Sequence, residues 1–325
     1  MWKSNNNYLY FHSMKFYLGT TDNSWFNYLS KINPEDVNFW QPGGNLVFRA
    51  LEPGAPFLFK LKYPLNAIGG VGFFSSHTFL PISVAWDTFG NRNGFDTYEE
   101  FKRTILSNRK DKTEQNPRIG CIVLTNPIFF QREDWIKTPE NWAISIVQGK
   151  GYSTEDEIGK RLWERVEFLL DKYLTVQNSS IGNQLLLKEP ELRYNYSILS
   201  KVRIGQGAFR VLVTESYQRR CSITGEKTLP VLESAHIQSY AKEGPHAVSN
   251  GILLRSDMHK LFDTGYVTIT KDLKIEVSKR IKEEFLNGRE YYQYHGKDLL
   301  ILPQKVHERP DSKYIDWHNS NIFKG

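Results

Sequence analysis

Cysteine is scarce. Only Cys121 and Cys221 occur, a hundred residues apart. With no Cys-x-x-Cys pair, the spacing argues against a thiolate zinc ribbon. A single disulfide stays open, although two reduced thiols in a cytoplasmic protein are the simpler reading. Long apolar runs are also missing. No stretch reaches the roughly 18 residues of a membrane-spanning helix, and the opening MWKSNNNYLYFH has no apolar secretion core. A soluble, cytoplasmic chain with no membrane partner is therefore expected. No internal repeat or low-complexity tract is visible.

What is present points to folded units with an anionic partner. The chain has 42 Lys and Arg against 36 Asp and Glu, a formal charge of +6, and a pI near 9.0. That balance suits a polyanion without demanding one. Aromatics reach 14%, with 20 Phe, 17 Tyr and 8 Trp, more than cores strictly need. At 325 residues two domains and a connector are expected, at 1–150, 151–200 and 201–325.

The front part reads as short strands with a few helices. MKFYLGT (14–20) opens it, and Asp22 or Ser24 caps a helix over WFNYLSKI. LVFRAL (46–51) and PFLFKLKY (56–63) alternate like strands about a Glu-Pro-Gly-Ala turn. AIGGVGFFSSH (67–77) is a strand whose glycines mark a bulge or the close approach of a ligand or another backbone. SVAWDTFG (83–90) ends in a turn or short helix. Thr97 and Glu100 form a capping box. IGCIVLTNPIFF (119–130) is a buried strand, and WAISIVQGKGY (142–152) closes the sheet. A helix over 154–174, capped by Ser153 with Asp156, starts the connector. Beyond 201, KVRIGQGAFRVLVTESY contains a strand, a Gly-Gln-Gly turn, then a strand or helix.

The chemistry concentrates between Arg219 and Gly265. VLESAHI is a strand presenting His236, SYAKEGPHAV a loop, and NGILLRS a second strand opened by Asn250. Ser256 then caps a helix carrying His259. An imidazole with an ordinary pKa near 6.5 can take a proton from water at neutral pH. A helix N-terminus favours phosphate. His246 reads as an exposed loop residue. Arg219, Arg220 and Arg255 are candidate phosphate contacts.

CSITG, AHI, the step to Asn250 and NGILLRSDMHKLFDTG together resemble the HNH nuclease motif of the ββα-metal fold. The resemblance implies His236 as general base, Asn250 as the residue that holds the loop and orients that base, and His259 as a metal ligand. It implies one divalent ion, Mg²⁺, Mn²⁺ or Co²⁺. The usual ligand before the base is here Ala235. Glu233, on the same strand face, is the first replacement, with Asp257 and Asp263 behind it.

In the front part SWFNYLS, FWQPGGNLVFRALEPGAPFLFKLKYPLNAIGGVGFF, AWDTFGNRNG and IVQGKGY resemble the EVE-like branch of the PUA superfamily. The pair is similar to EVE–HNH modification-dependent (type IV) restriction endonucleases. The implied fold is α+β: a small PUA-like barrel with flanking helices, a helical connector, and a ββα-metal domain. The implied partner is double-stranded DNA carrying a modified cytosine, 5-methyl or 5-hydroxymethyl, flipped into an aromatic slot. Trp25, Trp40, Trp86, Phe74 and Phe89 are candidate walls. Asn23, Ser75, Ser76, His77 and Asp87 are candidate edge-readers. Cutting both strands requires a homodimer or two binding events. Two rival readings are an HNH nuclease directed by structured or modified RNA, and a modified-base binding protein whose HNH site is degenerate.

Overall fold

Residues 13–111, 113–180 and 204–325 are described by the computed structural model. The front part is one seven-stranded sheet: β1 (Lys15–Thr21), β2 (Asp36–Gln41), β3 (Pro56–Leu61), β4 (Ala67–Pro81), β5 (Arg118–Phe129), β6 (Ile136–Lys137) and β7 (Gly149–Ser153). Its order is β2-β5-β4-β3-β1-β7, with β6 on β4. β1 and β3 are parallel, and β7 pairs antiparallel with β1. Among the described residues the expected closed barrel is not formed: β2 pairs only with β5 and β7 only with β1, so the sheet keeps two ends. Register breaks in the 15-residue β4 bend the sheet without closing it.

Among the described residues four α-helices accompany the sheet: α1 (Asn23–Ile32), α2 (Ile82–Phe89), α3 (Tyr98–Ser107) and α4 (Glu157–Ser180). Strand alternation sorts the core. Phe57, Phe59 and Leu61 face α1, with Trp25, Phe26 and Leu29, whereas Phe16, Leu18 and Leu58 face α4. Asp22 caps α1, accepting from the Ser24 and Trp25 amides. Thr97 caps α3, accepting from the Glu100 amide.

Of three expectations, two change here and one holds. Residues 46–51 form no strand. They have no partner strand among the described residues, Leu46 and Val47 are exposed, and Phe48 is held edge-on by Tyr17 at 5.1 Å. The glycines of β4 do what was expected: the pairing register shifts at Gly69 and Gly72, and a Cβ on Gly70 would lie 2.4 Å from the Ile128 carbonyl oxygen, the close approach of another backbone. The expected connector helix starts three residues late, because Asp156 Oδ1 accepts from the Gly159 amide at 2.7 Å. Its stripe of Leu162, Val166, Leu169 and Leu170 belongs to the sheet's core, so this segment is no free spacer. Residues 181–203, covering the rest of the connector and the start of the second expected domain, lie outside the described residues.

The second part holds α5 (Gln206–Ser216), β8 (Leu232–His236), β9 (Gly251–Arg255), α6 (Ser256–Asp263), β10 (Val267–Ile269), β11 (Ile275–Val277), α7 (Arg280–Phe285), α8 (Arg289–Tyr292) and α9 (Ser312–Asn321). β8 and β9 pair antiparallel, with Ala235 opposite Ile252. One core joins α5, this hairpin, α6, β10, β11 and α9. α5 has a second set of neighbours. Its Ala208 and Val211 pack with α2, α3 and β5 of the front sheet. Both cysteines are free and buried, and burial pushes the Cys121 thiol up to about 12.

Candidate functional site

β8, the loop after it, β9 and α6 bring His236, Asn250 and His259 together. Asn250 is fully buried at the neck of the loop. Its Nδ2 donates to the carbonyls of Gln238 (3.0 Å) and Pro245 (2.9 Å). Its Oδ1 accepts from the Gln238 amide at 2.8 Å. One side chain thus ties both limbs of the loop to the start of β9, with both polar ends of its amide used.

His236 ends β8, just before that loop. Its ring lies face to face on Phe209, centroids 3.9 Å apart and planes 9° apart. Its Nε2 is 2.9 Å from His246 Nδ1. Burial pushes its pKa down to about 4, and the neighbouring His246 adds to the fall. His236 is therefore neutral at pH 7 and keeps a lone pair for a proton.

His246, expected to be exposed, is half-buried. It stacks on Tyr240 at 4.3 Å and 13°. The ten-residue gap to His236 gave no hint of this pairing, because a loop's path is not periodic. Tyr240 six residues earlier was the available signal. Phe209 carried no signal, as it lies on a helix outside the motif.

His259, from α6, has a carboxylate at each ring nitrogen. Nδ1 is 2.5 Å from Glu233 Oε2 and Nε2 is 3.2 Å from Asp263 Oδ2. Burial lowers its pKa, but the hydrogen bonds to Asp263 and Glu233 outweigh that and the net shift is upward. Asp257, the other candidate ligand, is held by Arg255 at 2.7 and 2.8 Å.

One imidazole and two carboxylates are suitable donors for a divalent ion. Their arrangement is that of a hydrogen-bonded trio. Each ring nitrogen already faces an oxygen, and among the described residues no group of three or more His, Cys, Asp or Glu is placed to hold a metal. As arranged, His259 and Glu233 do not fit the expected metal site.

The three arginines differ. Arg255 is committed to Asp257, and Arg219 to Glu215 at 2.7 Å and to Thr78. Arg220 has a buried Nε without a hydrogen bond.

The candidate front-slot residues do not form one slot. Trp25, on α1, and Phe74, on β4, are buried in one core between that helix and the sheet, and Trp25 Nε1 donates to the Asn38 carbonyl. Trp40 and Trp86 pack around Phe101, and Phe89 lies in the core shared with α5. Asn23 binds the backbone of residues 62 and 63. The Asp87 side chain is exposed, while its carbonyl accepts from Arg210. Ser75 is half-buried. Ser76 Oγ and His77 Nε2 are buried without a partner among the described residues, and burial lowers the His77 pKa.

This geometry coincides with the part of the chain that comparison identifies. Residues 221–270 match the family model described as HNH endonuclease. No curated protein matches the chain. Among solved structures, a mutant of the ASCH protein of Zymomonas mobilis aligns with 46% of this chain and 95% of its own at 8% identity and a TM-score of 0.31. The unmutated ASCH protein of Zymomonas mobilis aligns at a TM-score of 0.26 and 9% identity over 37% of this chain and 76% of its own. The modification-dependent TagI restriction endonuclease aligns with 90% of this chain and 78% of its own, at 16% identity and a TM-score of 0.27.

Proposed function

We propose that this chain is a DNA endonuclease. In this reading β8, β9 and α6 hydrolyse phosphodiesters, and the front sheet admits DNA carrying a flipped, modified cytosine. The observation that carries the reading is the convergence of a neutral His236, a loop-locking Asn250 and a carboxylate-flanked His259 within the HNH-matching segment.

His236 accepts the proton of the attacking water. Asn250 holds the loop through which the chain leaves that base. Glu233 and Asp263, the carboxylates that flank His259, disfavour a bare phosphate beside them, so a cation accompanying the substrate is expected, and a divalent ion (Mg²⁺, Mn²⁺ or Co²⁺) remains part of the proposal. Selection at the front sheet is supported by Ser76 and His77, whose buried polar atoms lack partners among the described residues and so favour a ligand that supplies them. One site cuts one strand, so a double-strand break needs two copies or two encounters.

The test is digestion of one plasmid prepared with cytosine, 5-methylcytosine, 5-hydroxymethylcytosine or N6-methyladenine, with each metal and with EDTA. Nicking confined to the modified-cytosine plasmids is expected. It should be lost with EDTA and fall at least about a hundredfold in His236→Ala. Equal nicking of all four plasmids removes the modification reading. Ala235 and the locked His259 favour one rival, a binding protein that does not cut. Retention of modified DNA without nicking in any metal would establish that rival.

A further inference from the structure

We propose that Phe209 is a positioning residue for His236, and that the front sheet holds Phe209 in place through Asp36 and Arg92. This deepens the nuclease reading above and rests on His236 being its base.

A two-stranded ribbon is a weak platform for a catalytic ring, and His236 is its last residue. The ring's orientation is set from outside the ribbon. Phe209, 1% exposed, covers one face, and His246 meets Nε2. Phe209 belongs to α5, whose N-terminal turn is fastened to the front sheet. Asp36 on β2 is fully buried. Its Oδ2 accepts from the Ala208 amide, next to Phe209, at 2.8 Å. Its Oδ1 pairs with Arg92. Arg92 is fixed in turn, donating to the carbonyls of Phe89 and Thr88, each at 2.9 Å.

The fit leaves no space for side chains. A Cβ on Gly205 would fall on the Asp36 carboxylate, and one on Gly207 would lie 2.7 Å from the Phe89 ring and 3.2 Å from Arg92 Nη1. The far end of α5 has its own anchor, where Glu215 Oε1 accepts from Thr78 of β4 at 2.7 Å. Two fixed points set the line of the helix and so the place of the Phe209 ring. A buried ion pair contributes little stability compared with apolar packing but can define one register. Here it defines the register of the turn that presents Phe209.

The test uses the full chain and three variants: Phe209→Leu, Phe209→Tyr and Asp36→Asn. Thermal melting establishes that each folds. The readouts are kcat and KM for nicking modified plasmid, and the His236 ring-proton shifts by NMR, assigned with His236→Ala. A stacked aromatic face shields those protons. Phe209→Leu should lower kcat about tenfold or more with KM unchanged, as expected for a misplaced catalytic group, and should move the shifts downfield. Phe209→Tyr should restore both. Asp36→Asn, with Phe209 intact, should move both in the same direction. Wild-type kcat and shifts in Phe209→Leu overturn the positioning role. Wild-type values in Asp36→Asn overturn the role of the front sheet. If the wild type does not nick but the shifts move in Phe209→Leu and Asp36→Asn, the positioning stands and only the nuclease reading falls.

Discussion

His236 owes its neutrality to two causes that can be separated. Burial is the larger, and His246 adds to it. His246→Ala removes the second ring and opens the first to water, so the His236 pKa should rise from about 4 toward the ordinary 6.5. An NMR titration of the His236 ring checks this, and an unchanged midpoint would show that the two rings do not meet in solution. At this scale the sequence was legible wherever geometry is local. Strand alternation placed Glu233 beside the helix carrying His259, and Asn250 lies at the loop's neck. His246 was not legible, since its position depends on how the loop folds over Tyr240. The front aromatics show the same limit. Ring type did not reveal that Trp25 and Phe74 are core while Tyr17 and Phe39 stay partly open.

Among the elements α5 was the hardest to read, and its packing explains why. Gly207, Ala208, Phe209, Val211 and Val213 are all buried, because the front sheet lies on one side and the β8–β9 hairpin on the other. A helix buried on both sides shows no single apolar stripe, and its valines also suit a strand. α3 and α4, each with one covered face, were readable from their stripes. The same crowding yields a stability prediction. Gly205→Ala places a methyl against Asp36 and should destabilise the fold by about 1–3 kcal/mol. Gly43→Ala, with nothing within 4 Å, should leave it nearly unchanged. Urea midpoints of the two variants measure the difference, and equal midpoints would contradict the tight joint.

For the whole molecule, the closed barrel was the expectation that failed. Closure depends on whether β2 meets β7, a long-range pairing that no local pattern encodes. Charge sets a second whole-molecule property. Burial holds both His236 and His318 near pKa 4 in the folded state, against about 6.5 unfolded. Between those values the unfolded chain binds more protons, so stability falls as pH drops from about 6.5 to 4 and that loss is complete below it. The lowered pKa values of Asp257 and Glu284 extend the loss to lower pH. His259 has the opposite sign. Its raised pKa contributes fully below about 6.5 and is lost as pH rises through its folded value. Melting temperatures from pH 8 to pH 4 should decline on the acid side, and a flat profile would contradict the buried neutral histidines.

The fastening of α5 also has a consequence for synthesis. A chain leaves the ribosome from its N-terminus, at about 5–20 residues per second. Asp36 precedes Ala208 by 172 residues, and all seven strands of the front sheet precede α5. The seat for the helix therefore exists before the helix does, and the ring that steadies His236 is the late arrival. A growing chain has its front sheet in hand before the ring of His236 is set.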